Sequence, residues 1–237
     1  NYTNPMAMLC LAVARGSSVK AVGLCHSVQG TSRQLARYIG VPPEEVSYRV
    51  AGINHMAWFL EFKHNGQDAY PRLWAAMEHP EIYARDKVRF EMMRRLGYFV
   101  TESSEHVAEY VPYFIKRDDL IARFDIPIDE YIRRSERNLE KFAEVRAALL
   151  RGEQPEIRRS HEYAAHIIWA IETNHDWSFY GNVPNTGLID NLPPDSVVEV
   201  PVLVNRAGLQ PCHVGPLPPQ LAAMNRTNIN VQQLTVE

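Results

Sequence analysis

The sequence has 237 residues, 46% of them hydrophobic, enough to bury a sizeable core in one large domain or a domain and a half. With 25 basic against 28 acidic residues the formal charge is -3, which excludes the basic field that nucleic acid or an anionic membrane would require. No apolar run approaches the ~20 residues of a membrane helix, no charged n-region resembles a signal peptide, and three scattered cysteines (Cys10, Cys25, Cys212) argue for a reducing, cytoplasmic home rather than a disulfide scaffold.

The chain opens Asn1-Tyr2-Thr3-Asn4-Pro5, without an initiator Met, and passes straight into an apolar helical stretch from Met6 to Ala14 closed by Gly16. Val19 to Cys25 reads as a short buried strand. A lone helix and strand at the start of a chain are expected to be the last αβ unit of a sheet whose earlier strands lie outside it. A short helix is predicted within 29–40, capped by Ser or Thr and stopped at Gly40. From Ser47 the pattern alternates through Tyr48, Val50, Ile53, Trp58, Leu60 and Phe62, and Asn65-Gly66 marks a hairpin before Tyr70. Helical texture returns over 81–97. The stretch 127–151 carries Tyr131, Leu139, Phe142, Val145 and Leu149 at helical spacing, and another helix is expected over about 156–172. Residues 174–216 are rich in Pro, Asn and Gly, with a strand-like Ser196 to Val200, and a final helix begins near Pro218. The class is α+β, with helices in the majority.

Several familiar motifs are missing. No two glycines are separated by a single residue, so there is no dinucleotide fingerprint, and neither a P-loop nor a G-x-S-x-G elbow occurs. His161 and His166 flank a Glu162, but their i, i+5 spacing turns the second ring about 140° from the first, where a zinc helix needs i, i+4.

What remains is a set of three segments. Cys25-His26-Ser27 follows the first predicted strand, and Asn54-His55 ends the next. A thiolate and an imidazole converging from two strand ends could bind a soft or borderline divalent metal and leave positions open for substrate. Taken singly, such a Cys is as readily a small buried hydrophobe and such a His merely a hydrogen-bonded one. The third segment, Glu102 to Phe114, is dense in titratable and aromatic groups. It reads either as part of a site or as a capped helix, started by Ser103 or Ser104, with Tyr110 and Tyr113 in the core. A tyrosine, whose free pKa is ~10, needs a neighbouring cation to serve as a base.

These segments, with Asn182-Val-Pro-Asn185-Thr-Gly187, Asp195-Ser-Val-Val-Glu199-Val-Pro and Thr227-Asn-Ile-Asn230-Val-Gln, occur in one order. Together they resemble glycoside hydrolase family 4, and most closely its α-galactosidase branch. The resemblance runs along essentially the whole chain. It implies an NAD-binding Rossmann domain ending at residues 1–26, with its glycine fingerprint upstream of Asn1. Residues 27–237 would then form a carboxyl-terminal domain like that of lactate and malate dehydrogenases. It also implies an NAD- and Mn²⁺-dependent route in which oxidation at sugar C3 acidifies C2, a base removes the C2 proton, the aglycone leaves, water adds and reduction restores the sugar; carboxylate-pair hydrolysis does not apply to such members.

By the same resemblance Cys25 and His55 are metal ligands, Asn4 and Asn54 bind substrate, and Tyr110 supplies the C2 base. His26 stands where phospho-glycosidase members carry an acidic residue taken as the general acid, so it is either the acid or a group that orients the sugar. The implied partner is a small α-galactoside without a 6-phosphate, acted on by a homo-oligomer. Other readings are α-glucosidase or α-galacturonidase activity, a 2-hydroxy-acid dehydrogenase on the shared fold, or a silent fragment lacking the NAD half.

Overall fold

Alternation of apolar residues between Tyr48 and Phe62 calls for a strand pair with two distinct faces. In the computed structural model of the protein, which describes residues 1–154, 156 and 162–237, it forms β1 (Val46–Ile53) and β2 (Met56–His64), joined by Asn54 and His55 alone. Asn65 and Gly66, at φ 47° and 81°, turn the chain into a two-residue β3 (Gln67–Asp68). With β4 (Trp177–Pro184), β5 (Val197–Asn205) and β6 (Gly208–Pro211) these form one antiparallel sheet ordered β3-β2-β1-β5-β4, β6 pairing with β5.

Helices cover both faces: α1 (Met6–Gly16), α2 (Ser27–Tyr38), α3 (Tyr70–Met77), α4 (Pro80–Ala84), α5 (Lys87–Leu96), α6 (Ser104–Tyr110), α7 (Asp118–Phe124), α8 (Glu130–Leu150), α9 (Ala164–Thr173) and α10 (Pro219–Val236). The two-residue period of the strands sorts the core. Ala51, Ile53, Met56 and Trp58 join one cluster with residues of α6, α9 and α10, whereas Val50, Ala57 and Phe59 join another with residues of α2, α3 and α5. Leu60 is an extra residue in the β1–β2 register, so Phe59 and Phe62 face the same side across it. Among the described residues no helix is long and apolar enough to cross a membrane.

Three expectations change. The strand predicted over Val19–Cys25 is an extended segment whose residues up to Lys20 are exposed. It makes a single antiparallel bridge, Gly23 with Asn182 of β4, through hydrogen bonds of 2.9 and 2.8 Å. Close approach explains both this bridge and the unpredicted β4. A Cβ on Gly23 would lie 2.7 Å from the Met6 side chain, and one on Gly181 would lie 2.8 Å from Val22. Gly181, which disguises β4 in the sequence, and Gly23 on the facing segment are what let the two lie flush.

The helical texture over 81–97 is two helices, α4 and α5, parted at Arg85–Asp86, where Asp86 turns inward to bond Arg89, Ser104 and Tyr38. The helix predicted over 127–151 forms as α8, but none of its residues is buried: Tyr131, Leu139 and Phe142 are 78%, 71% and 69% exposed. The helix expected over 156–172 is α9, beginning at Ala164; His161 lies outside the described residues.

Candidate active site

The extended segment pinned by Gly23 delivers Cys25 to the start of α2. The Tyr163 hydroxyl donates to the Cys25 carbonyl at 2.8 Å, and the Cys25 thiol donates to Ser27 Oγ at 3.2 Å. Burial first, and then the nearby Glu199, pushes this thiol up to about 12. Without a cation it is a neutral thiol.

His55 arrives from the opposite side, not at the end of a parallel strand but in the tight turn between antiparallel β1 and β2. Its backbone is left-handed (φ 65°), as is that of Glu102 (φ 73°), and each such residue costs about 1–2 kcal/mol. The ring is held on its Nδ1 side, 2.9 Å from His106 Nε2 and 3.3 Å from the Tyr110 hydroxyl. His106 Nδ1 in turn lies 2.7 Å from Glu109 Oε2. The Nε2 side faces Glu102, 3.6 Å away. Burial holds the imidazole below its ordinary value; the Glu102 carboxylate opposes this and His106 adds to it.

Local chemistry builds α6. Ser103 Oγ accepts from the His106 backbone N–H at 3.2 Å, the N-cap expected from the sequence. Helix α10 then locks turn and helix together: Asn225 Nδ2 donates to the Met56 carbonyl at 2.7 Å, and Asn228 Nδ2 to the Tyr110 carbonyl at 3.3 Å.

One ligand atom each from Cys25, His55 and Glu102 lies within 4.8 Å of the others. These side chains, with Asn4 and His26, line a cleft of about 470 Å³. Its far wall is a buried network: Arg89 donates to both carboxylate oxygens of Asp86, to Thr31 Oγ1 at 3.0 Å and to Gln34, while Asp86 also accepts from Ser104 and Tyr38. His26 sits exposed at the rim, 3.1 Å from Glu162 Oε2 and stacked on Tyr2 with ring centroids 5.5 Å apart. Asn4 is exposed, its Oδ1 accepting from the Met6 N–H at 3.2 Å.

Two sequence candidates stand elsewhere. Asn54 is 2% exposed and does not line the cleft; its Nδ2 has no hydrogen-bond partner among the described residues. Tyr110 stands behind His55 rather than in the cleft wall, and burial, then Glu102, pushes its phenol up to about 12. Conversely, sequence reading passed over Glu102, the His106–Glu109 pair and the Asp86–Arg89 network. Glu102 belongs to the same dense run as Glu105 and Glu109, and only its left-handed backbone distinguishes it.

A family model described as the family 4 glycosyl hydrolase C-terminal domain matches residues 50–237, and one for family 4 glycosyl hydrolase matches residues 1–41. The chain belongs to family 4 of the glycosyl hydrolases. An α-galactosidase of Bacillus subtilis (strain 168) is 49% identical over 240 residues, covering 100% of this chain and 56% of that protein. This family 4 chain therefore spans about half the length of the curated relatives it matches. Among solved structures, a 6-phospho-α-glucosidase from gut microorganisms, in complex with NAD and Mn²⁺, superposes with a TM-score of 0.75 at 23% identity, covering 100% of this chain and 57% of that one. Malate dehydrogenase from Plasmodium falciparum follows at 0.53 and 15%, covering 99% and 61%. At those identities the likeness is one of fold: the carboxyl-terminal domain of this family 4 chain is built like that of the dehydrogenases.

Proposed function

We propose that the protein is a glycosidase that cleaves α-galactosides with the help of NAD and a divalent cation, Mn²⁺ foremost. The observation that carries this reading is the convergence of Cys25, His55 and Glu102 on one point of the cleft. A thiolate, an imidazole and a carboxylate suit a borderline divalent ion, whose charge would offset the thiolate and the carboxylate brought together there. Cys25 and His55, with Glu102 beside them, would hold the ion, which would supply a Lewis acid to neighbouring sugar hydroxyls. NAD, when bound, would accept hydride from the sugar and return it.

The chain's own residues carry the remaining work. Cys25 would hold the ion as a thiolate, its proton passing to solvent. His106 and Tyr110 fix the His55 ring, leaving its Nε2 side turned to Glu102. Tyr110 is the candidate base for the sugar C2 proton, a role that requires its hydroxyl to reach past His55 into the cleft and a cation nearby to lower a pKa that burial has raised. His26, gripped by Glu162 at the rim, holds the proton for the leaving oxygen. Asn4 orients the sugar. Residues 1–26 read as the end of the NAD-binding domain and 27–237 as the catalytic domain; a cytoplasmic homo-oligomer belongs to the same reading. The galactose preference is supported by the 49%-identical α-galactosidase.

The test uses the complete natural protein with NAD⁺ and Mn²⁺. Hydrolysis of p-nitrophenyl α-galactoside in preference to the α-glucoside and α-galacturonide is expected, with Mn²⁺ binding by electron paramagnetic resonance lost in Cys25→Ser and His55→Ala. Mn²⁺ bound as tightly by both variants as by wild type would remove the foundation of this reading.

A further inference from the structure

His55 is reached from the surface through a short row of side chains that begins on a carboxylate. Glu109 and His106 stand three residues apart on α6, hence on one face of it, and Glu109 Oε2 lies 2.7 Å from His106 Nδ1. His106 Nε2 lies 2.9 Å from His55 Nδ1, the two rings edge to face with centroids 4.7 Å apart. Exposure falls along the row, from an exposed Glu109 to a His55 side chain that is 12% exposed.

The order of donors and acceptors follows from the outer end. A carboxylate offers only lone pairs, so the contact at 2.7 Å places the hydrogen of a neutral His106 on Nδ1. Its Nε2 then presents a lone pair, which requires hydrogen on His55 Nδ1. His55 in turn keeps its own lone pair on Nε2, the side that faces Glu102. Two neighbours pull the other way. Glu102 would draw hydrogen to His55 Nε2, but it stands 3.6 Å off, beyond a hydrogen bond. The Tyr110 hydroxyl would donate to His55 Nδ1, but at 3.3 Å its contact there is longer and weaker than that of His106.

We propose that Glu109 is a positioning residue: acting through His106, it fixes His55 as the tautomer with hydrogen on Nδ1 and a lone pair on Nε2. An imidazole binds a metal only through a nitrogen free of hydrogen, so this tautomer decides whether His55 can serve the trio it forms with Cys25 and Glu102. The consequence for a cation rests on the glycosidase reading; the row of hydrogen bonds does not. Without the Glu109 carboxylate His106 is free to carry its hydrogen on Nε2 and donate to His55 Nδ1, and the His55 tautomer with hydrogen on Nε2, which Glu102 favours, takes over.

The test compares the complete natural protein with its Glu109→Leu variant at neutral pH, with the histidine ring nitrogens isotopically labelled. Long-range proton–nitrogen correlation spectra of the metal-free wild type are expected to show hydrogen on Nδ1 of both His55 and His106. In Glu109→Leu a large share of His55 should carry it on Nε2 instead. Glu109 is exposed, so the variant should keep wild-type thermal melting, which separates a change of tautomer from a loss of fold. Mn²⁺ binding, followed by electron paramagnetic resonance, should weaken about 10–100-fold, the usual cost of losing a hydrogen-bond partner behind a metal-binding histidine. Hydrogen on His55 Nε2 in the wild type, or a variant with an unchanged tautomer or an unchanged Mn²⁺ affinity, would overturn the proposal. Failure of the glycosidase reading has a different signature: a wild type that binds no Mn²⁺ and turns over no α-galactoside, with its His55 tautomer still set by Glu109.

Discussion

The β1–β2 hairpin and α8 are both strongly periodic in sequence, and the fold treats them oppositely. The hairpin is covered on both faces, with Val50, Ala51, Trp58 and Phe59 fully buried, and its turn carries His55 into the cleft. Helix α8 has the length and apolar spacing of a core helix and buries nothing. Period determines which element forms; whether that element is covered depends on what the rest of the chain places against it. The hairpin has α10, α5 and the rest of the sheet as neighbours, and Asn225 bonds both the Trp58 indole (3.3 Å) and the Met56 carbonyl.

The contrast can be tested from its functional end downward. Tyr110→Phe deletes the hydroxyl that lies against His55 and keeps the ring's packing, so turnover by the complete protein should fall ~10²–10⁴-fold with little change in unfolding free energy. Wild-type turnover in deuterated water should leave deuterium at C2 of the released sugar. A Tyr110→Phe enzyme as fast as wild type would return the residue to a packing role.

Trp58→Ala, in the hairpin core, should cost about 3–5 kcal/mol in urea unfolding. A loss below 1 kcal/mol would mean that the hairpin core is not packed as its full burial indicates.

Glu199, fully buried in β5, has its carboxyl pushed up to about 8 by burial, against which the Asn182 amide acts at 3.3 Å. Because this folded-state value lies above the unfolded one, the associated stability is complete below about pH 4 and is lost as pH rises toward 8. Glu199→Gln should flatten that decline in thermal melts between pH 5 and 8. An unchanged slope would show that the carboxyl is not protonated in the folded protein.

The smallest effect is expected at α8. Leu139→Ala should change stability by about 0.5 kcal/mol or less, as exposed positions do. A cost of 2 kcal/mol or more would mean that the stripe is covered in the complete protein and would erase the contrast with the hairpin.

What could be read from the sequence follows the range of the interactions involved. The α6 cap at Ser103 or Ser104, the Asn65-Gly66 turn and the alternation of β1 and β2 are set by residues a few positions apart and were legible, the structure choosing Ser103 for the cap. Strand β4 was not, because Gly181 and Pro184 read as loop chemistry until Val22 and β5 are seen beside them. The same holds at the site. Cys25 and His55 were singled out by their neighbours in sequence and by family resemblance. Glu102 was not, since nothing local separates it from the other acids of its segment. Asn54 was expected to bind sugar by resemblance to the family, yet in the two-residue turn its side chain is buried while His55 faces the cleft.

The left-handed backbone at His55 and Glu102 sets folding against binding. Glycine at either position would relieve about 1 kcal/mol of conformational strain and let the turn close more easily. It would also remove a donor from the cleft. Selection for thermal resistance alone would therefore drift toward glycine at these two positions, giving tougher proteins that lack two side chains of the proposed cation site. A stabilisation screen for this chain should score metal retention beside melting temperature, and variants gaining in one while losing the other should cluster at these two backbone positions rather than in the core.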